Sequence, residues 1–320
     1  MAISRRGFLA TGAAFGAAWM SGALSACASA VPRVSSSAPG VARIELGPVT
    51  VTSVSDGHNV RPLAANFVRN APLADVQAAL RDAGLPTDRV EIPYTVFVVD
   101  VGSQRVLLDT GNGEFSAATS GKALENMTKA GIDPASVTAV VISHFHGDHI
   151  NGLRNKAGAL NFPNARIFVP APEWNWWMDD ARMAAAPEAM KRVFTTARRV
   201  FGQIASSVVR FEPGAKVLPG LRSLPAFGHT AGHTVFVVEG GAQRVLYWGD
   251  TTNLAALFVR HPDWQVSFDL DADVARTMRR RLAEMVIDEK MLVAGFHLPG
   301  SAIGVLTRLG EGYQFAPVAA

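Results

Sequence analysis

The chain carries the run His144-Phe145-His146-Gly147-Asp148-His149, three imidazoles and a carboxylate within six residues of a sequence that has only eight histidines. Alternation along an extended backbone places His144 and His146 on one side. Gly147 permits a sharp turn that brings Asp148 and His149 round to a neighbouring point. Two imidazoles beside an imidazole–carboxylate pair are what two adjacent divalent ions of zinc type require. No Cys-rich metal site competes with this one, because Cys27 is the single cysteine.

Something must hold such a cluster. Val137 to His144 is β-branched and almost wholly apolar, so it is expected as a buried central strand that ends at His144. Strands are also expected at Val49–Val54, Thr95–Val101, Arg105–Leu108, Thr234–Glu239 and Arg244–Trp248, from alternation and β-branched content. Helical periodicity marks Leu73–Ala83, Ser120–Ala130, Pro187–Ser206 and Asp271–Lys290. A chain of 320 residues that is 48% hydrophobic and 18% charged is neither disordered nor fibrous. With no second linker and no repeat, residues 43–320 are read as one domain.

The motif resembles that of the metallo-β-lactamase-fold hydrolase superfamily, H-x-H-x-D-H after a central strand. The likeness continues in order through Leu107-Leu-Asp-Thr-Gly111, Gly228-His-Thr-Ala-Gly-His-Thr234, Trp248-Gly-Asp-Thr251 and Gly295-Phe-His-Leu-Pro299. The resemblance implies an α/β fold, a four-layer αβ/βα sandwich with two mixed β-sheets and helices on the outer faces. It implies one metal at His144, His146 and His229, a second at Asp148, His149 and His297, and Asp250 joining them. Asp148 and Asp250 are then also the catalytic carboxylates. Zinc is the expected metal, with manganese, cobalt and iron as alternatives. Two ions about 3.5–4 Å apart activate a shared water and polarise a carbonyl or phosphoryl oxygen. Asp109 is expected to orient the metal loop by hydrogen bonds, and His233 to support the ligands from behind. His58 and His261 are read as solvated.

Within the superfamily the chain is similar to the methyl parathion hydrolase-like group, through Val51-Thr-Ser-Val-Ser-Asp-Gly57, Phe162-Pro-Asn-Ala165 and the end Gly310-Glu-Gly-Tyr-Gln-Phe-Ala-Pro-Val318. That likeness implies cleavage of aryl phosphotriesters or carboxylic esters, with Phe115 and Trp177 forming an aromatic wall for the substrate. Trp174 and Trp176 are read as helix packing. A lactonase is the alternative, although Asn253 stands where quorum-lactone hydrolases of this fold usually carry Tyr. A β-lactamase and a non-hydrolytic metal-binding protein are more distant ones.

The expected partner is a small molecule. Lys+Arg 30 against Asp+Glu 27 gives +3, and without Arg5 and Arg6 the balance from residue 31 is 28 against 27, so no nucleic-acid partner is implied. A homodimer is left open. Residues 1–30 read as an export signal: Ser4-Arg-Arg-Gly-Phe-Leu9 resembles a twin-arginine signal, and Gly7 to Ala26 is uncharged. Leu24-Ser-Ala-Cys27 resembles a lipobox and Ala28-Ser-Ala30 an ordinary cleavage site. The expected location is therefore the periplasm, free or held to the membrane by a lipid on Cys27. Residues 31–42 read as a linker.

Overall fold

The computed structural model describes residues 34–318. The signal reading for residues 1–30 lies outside them. The first sheet contains eight strands in chain order: β1 Val34–Ala38, β2 Val41–Leu46, β3 Val49–Pro62, β4 Arg89–Val101, β5 Gln104–Leu108, β6 Ala139–Val141, β7 Arg166–Pro170 and β8 Val209–Phe211. The second contains seven: β9 Lys216–Leu218, β10 Leu221–Pro225, β11 Thr234–Gly240, β12 Gln243–Tyr247, β13 Leu292–Ala294, β14 Ile303–Leu309 and β15 Gly312–Pro317. Both sheets are mixed. Neighbours from β1 to β5 run antiparallel and those from β5 to β8 parallel, while in the second sheet only β12 and β13 are parallel.

The parallel pairs β5–β6 and β12–β13 position the chemistry. A parallel pair ends at one edge, and the loops beyond its carboxyl ends converge there. The sheets pack through aromatic and aliphatic residues: the Phe97 ring on β4 lies 5.3 Å from that of Tyr247 on β12. Asp271 caps the long helix Ala272–Asp288, its side chain accepting from the Val274 amide. Among the described residues no helix is long and apolar enough to cross a membrane.

Two expectations are corrected. The linker ends earlier, because Val34–Ala38 and Val41–Leu46 are strands; β2 pairs with β3 from Val41 to Leu46 and buries Ile44 and Leu46. The strand before His144 is also shorter. Ladder pairing stops at Val141, and the Ser143 amide donates instead to the Asp109 carboxylate at 2.7 Å. Residues 142–144 are thereby redirected into the site.

Arg279, on the long helix, is buried and ties the later loops together. It donates to the carbonyls of Thr251 (2.8 Å), Pro262 (2.9 Å) and Trp264 (2.8 Å) and lies 3.5 Å from Asp269. Truncation leaves three buried acceptors and a carboxylate without their cation. Arg279→Ala is expected to lower stability by about 3–5 kcal/mol, measured by denaturant unfolding; a loss below about 1 kcal/mol would contradict this account.

Candidate metal centre

All seven expected ligands meet at the edge where the parallel pairs end. His144, His146, His229 and Asp250 form one group and Asp148, His149 and His297 a second, with ligand atoms in each group within 4.8 Å of one another. His144 to His149 lie beyond β6, Asp250 beyond β12 and His297 beyond β13, while His229 comes from the loop between β10 and β11. Gly249 has φ +49° in the turn before Asp250, and a Cβ there would lie 2.7 Å from His233 Nε2. The left-handed backbone and the lack of room both require glycine.

The outer nitrogens of four imidazoles are occupied. His149 Nδ1 donates to Asp109 at 2.7 Å, His229 Nδ1 to Asp269 at 2.9 Å and His297 Nδ1 to the Pro93 carbonyl at 2.8 Å. The Ser143 hydroxyl donates to Asp109 (2.6 Å), so it accepts from His144 Nδ1 (3.0 Å). Each ring therefore turns its Nε2 inwards. Those lone pairs face the Asp250 carboxylate, at 3.0 Å from His149, 3.2 Å from His229 and 3.1 Å from His297. His146 offers Nδ1 instead, 2.9 Å from His229 Nε2.

Acceptors thus face acceptors in a buried space. His144 Nε2, His149 Nε2 and Asp250 Oδ1 have no hydrogen-bond partner. Protonating every ring would bury several imidazoliums around one carboxylate, which is costly. Burial alone favours a neutral His229, yet Asp250 and Asp269 outweigh it and lift its pKa to about 9. Burial and the neighbouring His149 hold His144 well below the usual imidazole range. The surroundings demand positive charge: against burial, the carboxylates push His149 and His229 towards the protonated form, while burial and neighbouring rings hold His144 and His146 neutral. The donor set fits two divalent ions, one at each group, with Asp250 between them.

Asp109 and His233 act from behind the ligands. Asp109 is fully buried at φ +56° and accepts from the Ser143 amide and hydroxyl, His149 and, at 2.5 Å, the Tyr247 hydroxyl. Four donors hold a backbone conformation that a side chain ordinarily avoids. His233 Nδ1 donates to the Ala226 carbonyl and its Nε2 accepts from the Asp250 amide at 3.1 Å. Burial pushes its pKa down to about 4, which keeps Nε2 an acceptor.

Other buried groups were not anticipated from the sequence. Asp269 orients His229 and meets Arg279, and its signal was an acid between Phe268 and Leu270. Glu173, an acid within an aromatic run, accepts from Trp177 Nε1 at 2.7 Å and from the Thr230 hydroxyl. Burial raises its pKa to about 7. Asp56 accepts from the amides of Asn112 and Ala123, both at 2.8 Å, and so fixes the loop after β5.

A cavity of about 960 Å³ opens above the ligands, lined by Tyr94, Phe115, Trp177, Met190 and Val193 among others. Phe115 is 37% exposed. Trp177 is only 2% exposed, with its ring 6.5 Å from that of His146 and 4.8 Å from that of Phe194, so it belongs to the core as much as to the cavity wall. Trp174 packs against Phe145 and Phe201. His58 lies on β3 beside Glu91, and His261 stacks on Trp264 rather than standing free in solvent; neither joins the centre.

Asp109→Asn and Asp269→Asn should each loosen one ring and weaken metal retention by roughly 10–100-fold. Competition with a chromogenic chelator measures it, and retention equal to wild type in both variants would refute the orienting role.

The metallo-beta-lactamase superfamily model matches residues 89–297. Ribonuclease Z of Pyrococcus furiosus (strain ATCC 43587 / DSM 3638 / JCM 8422 / Vc1) is 31% identical over 90 residues, 28% of this chain and 26% of that protein. The chain thus spans about a quarter of the length of that curated relative. Among solved structures, AidC, a dizinc quorum-quenching lactonase, is similar at TM-score 0.83 and 25% identity, over 88% of this chain and 98% of that one. The hydrolase AbOPH of the beta-lactamase superfamily gives 0.81 and 23%, over the same 88% and 98%. With the ordered motifs, the two mixed sheets and the ligand cluster, these matches lead to one conclusion: the chain belongs to the metallo-beta-lactamase superfamily.

Proposed function

We propose that this metal-dependent hydrolase cleaves carboxylic esters and lactones, with zinc as the metal. The observation that carries the reading is the pair of adjacent candidate ligand groups, with Asp250 lying between them, at the floor of a cavity with an aromatic and aliphatic wall. AidC, a lactonase by description, supports the carboxylic substrate class. Aryl phosphotriesters are the second reading, favoured by Phe115, whose partly exposed ring lines the cavity.

When bound, the two ions would supply an activated water and a Lewis acid for the carbonyl oxygen. The chain's own groups do the rest. Asp109, Asp269, Ser143 and the Pro93 carbonyl keep four imidazoles in one tautomer. Asp148, whose side chain is 24% exposed, is the ligand carboxylate most open to the cavity and is suited to pass a proton to the departing alcohol. Trp177, pinned by Glu173, and Phe115 bound the space for the acyl or leaving group. The N-terminal residues suggest export to the periplasm, and the cavity over the ligand groups suits a small molecule as partner.

Protein purified without chelator should approach two metal equivalents and hydrolyse p-nitrophenyl esters and simple lactones faster than aryl phosphotriesters. Asp250→Ala should lose both metal and activity. Inactivity on every ester and lactone with two equivalents bound would overturn the proposal. Phe115→Ala should lower kcat/KM for p-nitrophenyl esters roughly tenfold at unchanged metal content. Phe115 suits this test better than Trp177, whose removal would also hollow the core.

A further inference from the structure

Four arginines line the cavity away from the ligands: Arg61 and Arg69 with Phe268 on one flank, Arg192 and Arg199 with Met190 and Val193 on the other. Among the described residues, the only acids in its lining are Asp148, Asp250 and Asp269. Two of these belong to the ligand set, and Asp269 is committed to His229 and Arg279. Elsewhere arginines commonly meet a carboxylate, as Arg105 meets Asp100 at 2.7 Å and Arg244 meets Glu289 at 2.8 Å. None of the four cavity arginines is in an ion pair among the described residues. This is no general basic surface, since the net charge is only +3.

Three of these guanidiniums are also held in place. Arg61 lies over the Phe268 ring at 5.3 Å and Arg199 over the Phe115 ring at 3.7 Å. Arg199 donates to the Asn151 side chain, and Arg69 donates to the Ser267 carbonyl at 2.6 Å. Stacking on a ring leaves the edge N–H groups of a guanidinium free and fixes their direction, which lowers the entropy lost on binding an oxyanion. Asn59 and Arg61 lie two residues apart on β3 and both line the cavity, as do Ile92 and Tyr94 on the paired strand β4. One flank is therefore a strip running from His297 past Tyr94 and Asn59 to Arg61.

We propose that the substrate carries a second anionic group, a carboxylate or a phosphate-type group, that the cavity arginines bind while its ester lies at the metal centre. This rests on the ester reading above and names the substrate class within it. The arginines account for selectivity between esters, and the ligand set accounts for cleavage. Water adds to the acyl carbon, the ester C–O bond breaks and the alcohol leaves with a proton, so the product is an acid with its second anionic group unchanged.

The test compares p-nitrophenyl esters of pentanoate, glutarate and 4-phosphonobutanoate, which match in length but differ in the terminal group. At low salt at least one anionic ester should exceed the neutral one in kcat/KM by about tenfold or more, equivalent to about 1.4 kcal/mol. The preference should shrink as ionic strength rises, because charges at a cavity mouth are screened over about 10 Å at 0.1 M salt. Arg61→Gln or Arg192→Gln should lower the anionic-to-neutral ratio, and Arg61→Lys should retain part of it. Which of the two ratios moves identifies the binding flank, and which anionic ester is preferred identifies the anion. Equal kcat/KM for all three esters at low salt overturns the proposal. If every ester is inert, the ester reading fails by itself. The anion site is then judged by calorimetry with glutaric acid monoanilide against pentananilide, where equal or absent binding overturns it. Tighter, salt-dependent binding of a fluorescent single-stranded oligonucleotide would assign the arginines to a nucleic-acid backbone and also overturn it.

Discussion

The structure turns on a crowd of acceptors that only cations can reconcile. The Asp250 carboxylate is buried among inward-facing Nε2 atoms at 3.0–3.2 Å, and the opposite nitrogens of those rings are already spent on Asp109, Asp269 and Pro93. Such a geometry is unfavourable for a bare protein and favourable for one holding divalent ions. Metal affinity is thus built partly from the cost of leaving these groups together without it.

Holding that arrangement requires both sheets. Asp109 follows β5 in the first sheet, while Tyr247, which donates to it, ends β12 in the second. Asp269 orients His229 and is itself held near Arg279 on the long helix, which also grips the Thr251 carbonyl just after Asp250. His149, His229 and His297 are each positioned by a group from a different part of the chain. Displacement of one sheet against the other would therefore loosen several rings at once.

The cavity divides its charge by depth. Carboxylates lie among the ligands at the floor, and arginines without an ion pair among the described residues line the walls. In a low-dielectric cleft such a division orients a polar substrate end to end. The aromatic residues serve both parts: Trp177 abuts His146 and joins the core, while Phe115 supports the Arg199 guanidinium.

Local pattern carried much of this in the sequence. Ligand residue types, their order and the turn glycine of His144–His149 are set by nearest neighbours, and with the ordered motifs around His229, Asp250 and His297 they made all seven candidate ligands and the superfamily legible there. The core strands were legible for the same reason, since a two-residue alternation is a local property. Strand ends were less so: the ladder at Val141 stops because Asp109, 34 residues away, takes the Ser143 amide. Residues 34–42 were misread because Ser, Pro and Gly suggest a linker, whereas pairing of β1 with β2 and of β2 with β3 decides the matter. Asp269 and Glu173 show locally only as acids among apolar or aromatic neighbours, and the four cavity arginines have no local signature at all. An acid or a cation acquires its role only from what the fold places against it, and for these residues the neighbours come from distant parts of the chain.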